Sequence, residues 1–154
     1  MQDTVVERLN KLHLSLPHSK SPAASFVSAQ IVDKLLFVSG TMPIGESGPL
    51  WKGTLGDNVS TAQGQEAARA STLLLLAHAK AVLGTLDRIR QCTRLEVFVR
   101  STPDFEEQPK VANGASDLIN LALGDKGRHT RFAIGVAALP FGVPVEVAAT
   151  FAID

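Results

Sequence analysis

Apolar positions along this chain keep two rhythms, one helical and one alternating, and the switches between them lay out its elements. Val5, Val6, Leu9 and Leu12 recur at helical spacing and predict a short amphipathic helix over 3–12, broken by the two prolines of "SLPHSKSPAAS". From Phe26 the period is two, with Val27, Ala29 and Ile31 on one face and Phe26, Ser28 and Gln30 on the other. Asp33-Lys34 makes a tight turn into "LLFVSGT", the returning strand. "MPIGESGPLWKGTLGDN" is too rich in glycine and proline for a regular element, and Trp51 is expected to anchor it.

Ser60 and Gln63 have capping-box spacing, helix formers follow, and Gly84 supplies the stop, so a long helix is predicted over 60–83. Its apolar face is expected at Leu73, Leu74, Leu76, Ala77, Ala81 and Leu83, wide enough to lie across a sheet, with His78 as a helix-surface or satisfied core histidine. "TRLEVFVR" alternates as a strand, with Leu95, Val97 and Val99 facing one way. Pro109 opens a second helix that Gly124 closes, and two strands follow at about 131–138 and 145–153. This order predicts an α+β fold with both long helices on one face of a mostly antiparallel sheet.

Length and composition narrow the classes. At 154 residues and 45% hydrophobic, the chain closes one core, and one domain is expected over 1–154, with 1–21 as N-terminal helix and linker and 22–154 as core. No apolar run is long enough for a membrane span, and the polar, acidic start "MQDTVVERLN" is unlike a signal peptide, which reads as a soluble cytoplasmic protein. Fifteen basic residues balance fifteen acidic ones, which argues against nucleic acid and anionic membrane as partners. Cys92 is the lone cysteine and reads as a small buried group rather than a nucleophile. The four histidines show no ligand spacing, so no metal site is expected.

The remaining chemistry lies in "RFAIGVAALPFGVPVEV", where Arg131 heads one apolar strand and Glu146 lies inside the next. If the two strands form a hairpin with their large faces aligned, Phe132, Ile134 and Val136 meet the helices, and Arg131 and Glu146 share the opposite face. That face carries many alanines and glycines and is expected to be covered by another subunit. The hairpin register puts Glu146 opposite Ala137, on the order of 20 Å from Arg131, so the two would cooperate only across a subunit boundary. Arg131 has two readings here: a forked receptor for a planar carboxylate, or a rim arginine in a structural ion pair.

The stretch "RFAIGVAALP…VEV", together with "FVSGTMP", resembles the RidA/YjgF family over about Pro22 to Phe151. The resemblance implies a chorismate-mutase-like fold and a homotrimer with clefts between subunits. It also implies cofactor-free hydrolysis of 2-imino acids and their enamine tautomers to 2-keto acids and ammonia, although some members carry translation-inhibitor or endoribonuclease descriptions. Position by position, Arg131 falls on the arginine that holds the substrate carboxylate and Glu146 on the glutamate of the hydrolytic water. Ser39 and Gly40 fall on the strand-end pair lining the cleft, and Asn113 on the asparagine of the second helix. Two positions depart from the pattern: Phe26 stands where tyrosine is usual, and Ala133 replaces a cysteine that can serve through its backbone. With the long "DKGRHT" approach to Arg131, these departures imply a divergent subgroup, either a deaminase of altered preference or a binder of small carboxylates without turnover.

Overall fold

The structure is a computed structural model that describes residues 3–154. Helix α1 (Thr4–Lys11) is capped by Asp3, whose carboxylate accepts from the Val5 and Val6 amides and also from the Leu86 amide, and Val5 and Leu9 are buried. Strands β1 (Ala29–Val32) and β2 (Leu35–Thr41) form the first hairpin around Asp33, which takes a left-handed φ of 53°. β1 thus starts three residues later than the alternation suggested. Phe26 precedes it in a bend and is 53% exposed.

The glycine-rich loop does contain regular structure, a minimal hairpin of β3 (Ile44–Gly45) and β4 (Gly48–Pro49), and Trp51 packs against the core as expected. Helix α2 (Thr61–Leu83) carries the full capping box of Ser60 and Gln63 and ends at Gly84. β5 (Ile89–Arg100) buries Leu95, Val97 and Val99. Helix α3 (Gln108–Leu123) has Pro109 in its first turn and leads through a 3₁₀ turn (Gly124–Gly127) into β6 (Thr130–Val136) and then β7 (Val145–Ile153).

The buried side of α2 differs from the leucine face expected. Leu76, Ala77 and Leu83 are buried as expected, together with Ala67, Ala68, Leu75 and Ala79, whereas Leu73 and Leu74 are half-buried and Ala81 is exposed. Four consecutive leucines point all round a helix and do not choose a face; the crossing with α3 does. There Gly114 approaches α2 so closely that a Cβ would lie 2.1 Å from the Gln65 carbonyl oxygen.

The five-stranded sheet runs β1-β2-β7-β5-β6 and is antiparallel except for β5 and β6. The last two strands therefore do not form the expected hairpin. β6 is reached from β5 through α3, and a strand-helix-strand crossover runs its strands parallel. β6 takes the outer edge, and β7 fills the gap between β2 and β5.

The faces change accordingly. Leu95, Val97 and Val99 pair with Arg131, Ala133 and Gly135, so Arg131 lies on the helix face, while Phe132, Ile134 and Val136 lie on the open face. Glu146 pairs with Phe98 and lies on the open face too. The small residues of β6 are small because α3 and its approach lie over them: a Cβ on Gly135 would lie 2.6 Å from Ser101 Oγ.

Candidate active site

Arg131 and Glu146 occupy two separate places in one chain. Through Leu95 and Ala149, two strands and three residues separate them, about 14 Å at sheet spacing, and they lie on opposite faces. The expected shared face is thus corrected, and direct pairing within one chain is ruled out by topology.

Around Arg131 the geometry is tight. Nη1 donates to Asn113 Oδ1 at 2.8 Å and to Ser116 Oγ at 3.1 Å, so α3 holds the guanidinium by one amino group. Asn113 and Ser116 are three residues apart, one helical turn, and both face β6. The two hydrogens of Nη1 are then used, and no carboxylate pairs with Arg131 among the described residues. The Nε–Nη2 edge keeps two parallel donors, the geometry that accepts a carboxylate bidentately. Of the two readings of Arg131, the structural ion pair is absent among those residues. Ala133, two residues on, points toward the core and packs against it.

Around Glu146 the controlling feature is an irregularity in β2. Val38 pairs with Ala149 and Thr41 with Val147, which leaves one extra residue in β2 at Ser39-Gly40, a bulge. Gly40 then lies beneath the carboxylate, where a Cβ would be 2.4 Å from Glu146 Oε1. Glu146 is half-buried with no ion-pair partner among the described residues, and desolvation pushes its carboxyl above the usual range. Ser39 Oγ donates to the Val27 carbonyl at 2.7 Å and fixes the backbone just after Phe26, so Phe26, Ser39, Gly40 and Glu146 form one neighbourhood.

The open face carries a broad apolar area around one ion pair, Arg94 Nε to Glu96 Oε1 at 3.3 Å. Val32, Leu35, Phe37 and Ile134 are exposed there, and Phe132 packs edge-on against Phe98 with ring centroids 5.6 Å apart. On β7 the small residues Ala148 and Ala152 lie on this face as expected, but on β6 bulky side chains stand in place of the expected alanines and glycines and leave the face ill suited to water.

Two further residues belong to the site that sequence reasoning passed over. His129 bonds through Nε2 to Ser116 Oγ at 2.9 Å and through Nδ1 to the Gly127 carbonyl, so Ser116 joins His129 to Arg131. The usable signal was the extra length of "DKGRHT" just before Arg131. His78 is half-buried and satisfied by Ser19 Oγ at 2.7 Å, with its pKa lowered by desolvation. Cys92 is fully buried, its thiol pushed up to about 12 by burial, consistent with a packing role. No helix is long and apolar enough to cross a membrane among the described residues.

Residues 6–149 match the family model described as "YjgF/chorismate_mutase-like, putative endoribonuclease", and the chain belongs to this family. It is 45% identical to the Trypanosoma cruzi protein TCP17 over 144 residues, which covers 93% of this chain and 90% of that one. An Agrobacterium tumefaciens protein of unknown function is 41% identical with a TM-score of 0.91, covering 97% of this chain and 92% of that one. A Shewanella oneidensis protein titled "putative endoribonuclease" is 30% identical with a TM-score of 0.93, covering 97% and 99% of the two chains.

Proposed function

We propose that this protein hydrolyses 2-imino acids to 2-keto acids and ammonia in clefts formed between copies of the chain. The observation that carries the proposal is the state of Arg131: one amino group is pinned to α3 at Asn113 and Ser116, and the opposite edge has no carboxylate partner among the described residues.

That edge fixes the carboxylate of a 2-imino acid and with it the orientation of the adjacent C=N carbon. Water adds to this carbon as Glu146 takes a proton from it, forming a carbinolamine. The proton passes from Glu146 to the nitrogen, the C–N bond breaks as the carbinol hydroxyl gives its own proton back to Glu146, and keto acid and ammonia leave. A carboxylate raised by desolvation is a stronger base than an exposed one, and it faces an iminium that is already electrophilic. The protein supplies orientation and a base, and the reaction itself consumes only water.

Because the arginine and the glutamate are far apart in one chain, a complete site takes Arg131, Asn113 and Ala133 from one copy and Phe26, Ser39, Gly40 and Glu146 from the next. The exposed apolar sheet face supports an assembly of copies, and the family resemblance implies three of them, with a cleft at each boundary.

A second reading is supported by Phe26. With no phenol at that wall, the same cleft could hold a small carboxylate without turning it over. RNA cleavage, the activity in the family description, would need clustered cations to neutralise phosphates, and this chain balances fifteen basic against fifteen acidic residues. The deciding assay follows ammonia and pyruvate release from enzymatically generated 2-iminopropanoate with and without the protein. Acceleration supports the deaminase; pyruvate binding without acceleration supports the second reading.

A further inference from the structure

We infer that Ser116 and His129 are positioning residues for Arg131, acting as a relay that holds its guanidinium so that the Nε–Nη2 edge faces the ligand. The inference rests on the proposed carboxylate-binding role of Arg131.

With a neutral His129 ring, the donors and acceptors run in one direction. The Gly127 carbonyl can only accept, so His129 Nδ1 carries the hydrogen and donates to it. In the neutral ring Nε2 is then an acceptor, and the Ser116 hydroxyl donates to it at 2.9 Å. With its hydrogen committed, Ser116 Oγ offers a lone pair to Arg131 Nη1 at 3.1 Å. Ser116 is 7% exposed and His129 half-buried, so little water competes for these bonds.

The anchor of the relay is Gly127. It is buried against α3, where a Cβ would lie 2.7 Å from the Ile119 carbonyl oxygen, so only glycine allows the 3₁₀ turn to press this close. The turn before β6 thereby ties its carbonyl, through His129 and Ser116, to the guanidinium at the start of the strand. Asn113 holds the other hydrogen of Nη1 at 2.8 Å. Without the serine link, the guanidinium turns about its own axis and presents its free edge only part of the time.

The test combines ligand affinity with the state of the arginine itself. Calorimetric titration with pyruvate and NMR of the Arg131 guanidinium are compared in wild type, Ser116→Ala, His129→Ala, the double variant and His129→Gln, whose carboxamide oxygen can still accept the serine hydroxyl. Ser116→Ala should weaken pyruvate binding about 3- to 10-fold and collapse the separate Nη signals that a fixed guanidinium gives. His129→Ala should do the same, the double variant should be no worse than Ser116→Ala alone, and His129→Gln should recover most of the loss. Variants that melt earlier while keeping wild-type affinity and guanidinium signals would overturn the inference and leave a purely structural link. If wild type binds no keto acid, the proposed function fails, and the guanidinium signals alone then decide the relay.

Discussion

Glu146 covers the place where a side chain on Gly40 would be, with Oε1 only 2.4 Å from that Cβ position. The bulge in β2 and the missing side chain together make room for a half-buried carboxylate beside Phe98. Gly40→Ala should displace the carboxylate rather than unfold the protein, because the obstructing atom is the far end of a flexible side chain. Imine hydrolysis should fall at least about tenfold, since a misplaced general base loses its contribution. Thermal unfolding and steady-state rates on 2-iminobutanoate check both halves.

Stability should depend on pH through Glu146. Its folded-state pKa lies above the unfolded value because burial disfavours the charge, so its contribution favours folding below the unfolded pKa and is lost as pH rises through the folded one. Glu146→Gln should therefore raise Tm at pH 7, with the gap closing as the wild-type carboxyl protonates toward pH 4. Melting curves across that window test the sign, and a lower Tm for the variant at pH 7 would show that the carboxylate is stabilised by a partner.

Arg131→Ala should weaken pyruvate or 2-ketobutyrate binding at least about 100-fold, the scale of a lost pair of charged hydrogen bonds, without changing the oligomer. Arg131→Lys should fail nearly as badly, because a point ammonium cannot reproduce the fork that α3 orients. Calorimetry checks the affinity and light scattering the assembly.

Phe26→Tyr should raise imine hydrolysis modestly. Phe26 is 53% exposed beside the Ser39 and Val27 contact, so an added hydroxyl meets the cleft rather than the core. One new neutral hydrogen bond contributes about 0.5 to 1.5 kcal/mol, roughly a two- to tenfold gain. Rates of both proteins on 2-iminobutanoate decide it. No gain would move the cause of divergence to the approach before Arg131.

Much of the fold was legible because its signals are local. The Ser60 capping box, the stops at Gly84 and Gly124, and the alternation of Leu95, Val97 and Val99 each need only neighbours in sequence. What failed was pairing at a distance. The sequence order of β6 and β7 suggested a hairpin, while the α3 crossover made β6 a parallel edge and put Arg131 on the helix face. Alternation tells which residues share a face, not which face is covered, and on β6 the small set is the covered one. The relay from Gly127 to Arg131 was illegible for the same reason, since it joins a turn, a helix and a strand that meet only in three dimensions.

The most direct test of a cleft shared between copies is complementation between two crippled chains. Arg131→Ala and Glu146→Gln are each expected to be nearly inactive on 2-iminopropanoate. Differently tagged and co-expressed, they give mixed oligomers that can be purified through both tags. If the assembly is the proposed trimer and each site draws its arginine from one chain and its glutamate from the next, every mixed trimer has one intact site, and activity should return to about one third of wild type. Mixed oligomers as inactive as either parent would contradict the shared cleft.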